Sequence, residues 1–148
     1  MTSQRLDALK RRAGAAVEAQ ADGVRDVALA LARQPELSYR EVESARRLAD
    51  FLQAHGFAVE RGVGGLETAF RATLDSGRPG PTIAFIAEYD ALPGVGHGCG
   101  HNLIAAGALG AALGAQAVLP DLAGRIVVFG TPAEEYSNNP QGKILLLR

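Results

Sequence analysis

The sequence predicts an α/β fold with a mixed, mostly parallel sheet, and three observations carry that expectation. An apolar run over residues 82–87 leads into Glu88 and Asp90, and a glycine-rich turn then opens a helix-like stretch from 101 to 118. A second apolar run, 125–129, is followed by another acidic pair, Glu134 and Glu135. Strand, turn, helix and strand in that order build a parallel pair. Alternating segments at 57–61 and 68–74 add antiparallel pieces beside that parallel core.

The 148 residues suffice for one domain with a core, and a 47% apolar content favours a globular chain over disorder. A net charge of -1 gives no reason to expect nucleic acid or an anionic membrane as partner. The lack of tryptophan counts against a base-stacking surface. One cysteine cannot close an internal disulfide, so a reducing cytoplasm is the expected location.

In chain order, Leu6, Leu9, Ala13, Val17, Val24, Ala28 and Leu31 recur at helical spacings with charges between them. That pattern predicts one or two amphipathic helices rather than a signal core. Thr2 and Ser3 are candidate caps, and Gly14 and Gly23 weaken the helix by about 1 kcal/mol each relative to alanine. Pro35 marks a break. Ser38-Tyr39-Arg40-Glu41 has the form of a capping box, Val42, Ala45, Leu48 and Leu52 form an apolar stripe, and Gly56 is the expected C′ residue. Gly62, Gly64 and Gly65 form a loose connection, and residues 75–80 a turn into what reads as the central strand. Residues 103–119 are almost wholly apolar. The run is short for a membrane span and contains Gln116, so a helix buried on the sheet is expected, its Gly110 and Gly114 allowing close approach to the strands.

The chemistry concentrates at the two acidic strand ends. Cys99 as thiolate and His101 as neutral imidazole suit zinc-like metals, and Gly100 between them leaves the backbone free to turn both toward one ion. Asp90 can orient the histidine through its second ring nitrogen or ligate directly. Of Glu134 and Glu135, one can ligate while the other moves a proton. The helix start beside Cys99 is expected to favour its thiolate. A phosphate-binding reading of the glycine turn fails, because neither register starting at Gly94 or Gly96 completes G-x-G-x-x-G. A thiol enzyme, with Cys99 paired to His97 or His101, stays open.

Residues 87–94 (Ala-Glu-Tyr-Asp-Ala-Leu-Pro-Gly), 96–102 (Gly-His-Gly-Cys-Gly-His-Asn) and 130–135 (Gly-Thr-Pro-Ala-Glu-Glu) resemble the M20 metallopeptidase and amidohydrolase family. Within it they are similar to the Cys-Gly-His branch that holds M20 domain-containing protein 2 dipeptidases and aminobenzoyl-glutamate hydrolases. The resemblance implies a three-layer sandwich, the front half of a zinc-peptidase-like catalytic domain. It implies Cys99, His101 and Glu135 as metal ligands, Glu134 as general base and Asp90 as the supporting acid, while His97 matches a position often histidine in this branch and is assigned no role. It further implies two divalent ions in the intact enzyme, zinc foremost with manganese and cobalt open, and hydrolysis of amide bonds in dipeptides or N-acyl amino acids.

Family members are longer, with a lid or dimerisation domain and two later histidine ligands, whereas no histidine follows His101 here. Residues 1–148 are therefore expected to form a partial catalytic domain, an N-terminal fragment. A small peptide or N-acyl amino acid is the expected substrate partner; the alternative expectation is a catalytically inactive metal-binding or interaction fragment of such an enzyme, forming a homo-oligomer or pairing with a full-length homologue through an uncovered sheet edge.

Overall fold

In the computed structural model, which describes residues 2–135 and 141–147, the N-terminal pattern resolves into two helices. Thr2 accepts the Arg5 N–H and opens α1 (Ser3–Ala19), and α2 (Ala21–Arg33) stops short of Pro35.

The capping box expected of Ser38 and Glu41 does not form. Helix α3 (Val42–Ala54) is capped from outside by Glu36, which accepts the N–H groups of Glu43 and Ser44 at 3.0 and 2.7 Å and the Ser44 hydroxyl at 2.7 Å. Glu36 satisfies donors that the first turn leaves without partners. Its replacement by alanine should cost about 1 kcal/mol, a usual cap loss, read as a lower urea midpoint. At the far end Gly56, at φ 87°, donates to Gln53, and the Phe57 N–H reaches the Leu52 carbonyl at 3.1 Å, the paired bonds of a Schellman stop.

Strands β1 (Ala58–Arg61) and β2 (Phe70–Asp75) pair antiparallel. β2 is antiparallel to β4 (Arg125–Thr131), which runs parallel to β3 (Thr82–Glu88), in the order β1-β2-β4-β3. The sheet is mixed, but a single pair is parallel, fewer than the sequence suggests. The supposed central strand, β3, is an edge: the crossover through α4 (His101–Val118) brings β4 back between β2 and β3. No strand pairs beyond β3 among the described residues, and Ile83 and Ile86 on it are 52% and 44% exposed.

Phe70, Ala72, Ile126, Val128 and Ala87 pack against Leu48 and Leu52 of α3 and Leu109 and Ala112 of α4. Helices α1 and α2 pack in turn on α4. Gly110 and Gly114 face α1, not the strands, since a Cβ on Gly114 would meet Val17 at 3.0 Å. Sheet, α3 with α4, and α1 with α2 therefore lie against one another in sequence. His101–Asp121 is long and apolar enough by composition to cross a membrane, yet α4 buries most of one such length within this core.

Candidate metal centre

The parallel register ends with Glu88 opposite Thr131, so residues 88–90 and 132–135 leave the same end of the sheet. Helix α4 begins at that end, where Gly100, at φ 78°, turns the chain into His101. A bridge between Leu37 and Ala91 lays the segment after Pro35 alongside. Open α/β sheets bind ligands at such ends.

Asp90 is fully buried and serves three neighbours. Its Oδ2 accepts the Ser38 hydroxyl at 2.8 Å and the Glu135 N–H at 2.9 Å, and its Oδ1 lies 2.9 Å from His101 Nδ1. The Asp90 carbonyl is also 2.9 Å from Nδ1. Both partners of Nδ1 only accept, which assigns it the proton and leaves Nε2 with its lone pair. That lone pair points at carboxylates: Glu134 and Glu135 at 3.8 Å and Glu88 at 3.9 Å.

These separations are too long for hydrogen bonds. Ligand atoms of His101, Glu134 and Glu135 all lie within 4.8 Å of one another. Two donors each bonded at about 2.1 Å to one ion are separated by up to about 4.2 Å, and the 3.8 Å from His101 Nε2 to Glu134 and to Glu135 falls within that reach, so these groups fit a divalent cation.

Lysine supplies part of the neutralising charge. From α5 (Gly142–Leu146), Lys143 Nζ lies 2.5 Å from Glu88 Oε1 and 3.3 Å from Glu134 Oε1, and Gln141 Nε2 donates to the Glu134 carbonyl at 2.7 Å. Enclosure pulls the ammonium's pKa down, but Glu88 and Glu134 outweigh it and the net shift is upward.

Cys99 is exposed and its thiol hydrogen-bonds Glu135. That bond, some desolvation and the charges of Glu135, Glu134 and Asp90 push its pKa up, so the thiolate expected from the helix start is not favoured by the protein alone. A nucleophilic thiol needs the opposite shift and a basic neighbour, which leaves the thiol-enzyme alternative without support. The ring nitrogens of His97 are enclosed and make no hydrogen bond of normal geometry among the described residues. Desolvation and then His101 lower its pKa, while the Leu31 backbone opposes the shift.

No protein-family model matches the chain. An Xaa-Arg dipeptidase of Mus musculus is 40% identical, the match covering 96% of this chain and 35% of the relative. A p-aminobenzoyl-glutamate hydrolase component of Escherichia coli is 34% identical, over 90% and 31% respectively. A Bacillus subtilis structure, a dinuclear metal-binding peptidase of the M20 family, superposes with a TM-score of 0.73 at 27% identity, over 82% of this chain and 37% of that one. The chain is a homologue of the M20 peptidases. A structure described as an aminohydrolase from methicillin-resistant Staphylococcus aureus reaches a TM-score of 0.83 at 30% identity, over 93% of this chain and 38% of that one. This M20 homologue spans about a third of the length of the curated relatives it matches.

The structure brings together Asp90, His101, Glu134 and Glu135, with Cys99 joined through Glu135. Sequence reasoning gave Ser38 to a cap and left Glu88 and Lys143 without a part. Residues 136–140, which follow Glu135 directly, lie outside the described residues.

Proposed function

We propose that this chain carries the metal-binding and proton-transferring portion of a hydrolase that cleaves amide bonds in dipeptides or N-acyl amino acids, working in the cytoplasm. The observation that carries the reading is the anchored His101, its Nδ1–H held by Asp90 and its Nε2 lone pair turned onto Glu134, Glu135 and Glu88. Relatives that are dipeptidases and amidohydrolases, and a neighbour that binds two metals, support it.

In this reading His101, Glu135 and Cys99 hold the ion, zinc foremost with manganese and cobalt as alternatives, and residues 1–148 form part of a catalytic domain. A divalent cation contributes Lewis acidity toward the amide carbonyl. Glu134, partly exposed to solvent, takes a proton from the attacking water and returns it to the leaving amine. Asp90 fixes the imidazole tautomer and, through the Glu135 N–H, the position of the ligating carboxylate.

Binding without turnover is a second reading, favoured by the Lys143 ammonium, which at 3.3 Å occupies Oε1 of the carboxylate that would receive the proton. Metal content of the purified chain, measured alongside hydrolysis of a dipeptide panel with and without chelator, separates the two. Weak metal binding with little turnover by this chain alone is the expected result, and whatever turnover it shows should be lost with chelator. Metal without turnover selects the second reading, and turnover that survives chelation rejects both.

A further inference from the structure

Glu41 lies outside the cluster of acids and is fully buried. Its Oε1 accepts the Tyr39 and Ala133 N–H groups, each at 2.9 Å, and its Oε2 accepts the Thr68 hydroxyl at 2.9 Å. Tyr39, at φ 63°, and Ala133, at φ 58°, are the non-glycine residues with left-handed backbones among those described, and both give their amides to this one oxygen. A residue with a Cβ resists that conformation and keeps it only where its surroundings enforce it.

Ala133 immediately precedes Glu134, so its backbone sets the direction in which Glu134 and Glu135 leave β4. The Thr68 carbonyl accepts the hydroxyl of Tyr89 at 2.5 Å, and Tyr89 stands between Glu88 and Asp90. Glu41 thus reaches both acidic strand ends through neighbours while bonding to none of the acids. Desolvation raises its pKa against the pull of its donors, so the fold keeps a carboxylate here at a cost.

We propose that Glu41 is a positioning residue whose buried carboxylate holds Ala133 in the left-handed region and so aims Glu134 and Glu135 at His101. Amide hydrogen exchange on the metal-free chain tests this without reference to metal. In Glu41→Ala, protection of the Glu135 amide, which bonds Asp90 and does not touch Glu41, should fall at least tenfold. The Leu109 and Leu113 amides of α4 should stay within twofold of wild type. Glu41→Gln keeps an oxygen for the two N–H groups and should stay within threefold. Adding Ala133→Gly to Glu41→Ala should recover at least threefold, since glycine takes the left-handed turn unaided.

Unchanged Glu135 protection in Glu41→Ala, an equal loss across α4, or no recovery on adding Ala133→Gly overturns the proposal. Should Glu41→Ala not fold, Glu41→Asp, too short to reach Ala133 from the same backbone, carries the comparison with an expected threefold loss, and unchanged protection there overturns it. Zinc affinity by titration calorimetry should follow the same order of variants. That part alone rests on the metal reading: a wild-type chain that binds no zinc removes the reading, while the exchange comparison still decides on Glu41.

Discussion

Replacing Asp90 with alanine should lower the zinc affinity of the chain by ten- to a hundredfold, the usual range for losing a carboxylate that orients a ligating histidine. The effect should lie at the upper end because one side chain does three jobs. Without it His101 Nδ1 loses its carboxylate and keeps only the residue 90 backbone carbonyl, the Glu135 N–H loses its acceptor, and the Ser38 hydroxyl is left facing a cavity. Equilibrium dialysis against zinc checks the prediction, with circular dichroism to establish that the variant is folded. A folded Asp90→Ala chain with wild-type affinity would move the ion away from His101.

The largest loss of stability is expected from Phe70→Ala, about 3–5 kcal/mol by the usual cost of emptying an aromatic core site. Phe70 is 1% exposed and stacks on Tyr89 with centroids 6.2 Å apart. It also lies over Gly130, where a Cβ would sit 2.1 Å from the ring, so β4 approaches here only because it carries glycine. Against a total of roughly 5–15 kcal/mol for a domain, the change removes a large share of the margin. Urea denaturation followed by circular dichroism should show the midpoint fall sharply. A shift below about 1 kcal/mol would mean that Tyr89 and its neighbours close over the space.

The elements legible in the sequence are those that local pattern determines. The apolar runs of β3 and β4 and the break at Gly56 follow from periodicity and glycine placement, and the acids after each strand mark the end where the centre lies. What is not legible depends on distant partners. A serine three residues before a glutamate reads as a cap, yet Ser38 bonds Asp90, 52 residues away, and Glu36 caps α3 in its place. Lys143 pairs with Glu88 across 55 residues, which no spacing rule anticipates. An apolar parallel strand looks the same at the centre or the edge, so the position of β3 comes from the crossover. The Cys99 thiol departs from expectation because the helix start is visible in sequence and the carboxylate that opposes it is not.

The bond from Glu41 to the Ala133 amide spans 92 residues. Contacts of such long range form only after the intervening chain has been gathered in, and they slow folding because closure entropy is lost before they return anything. The hairpin of β1 and β2 and the helices can assemble from nearby residues, whereas the turn bearing Glu134 and Glu135 must wait for β4 to insert beside β3. Its ordering is therefore a late event in the folding of this region, and a nascent chain acquires this chemistry only once β4 and the turn after it have emerged.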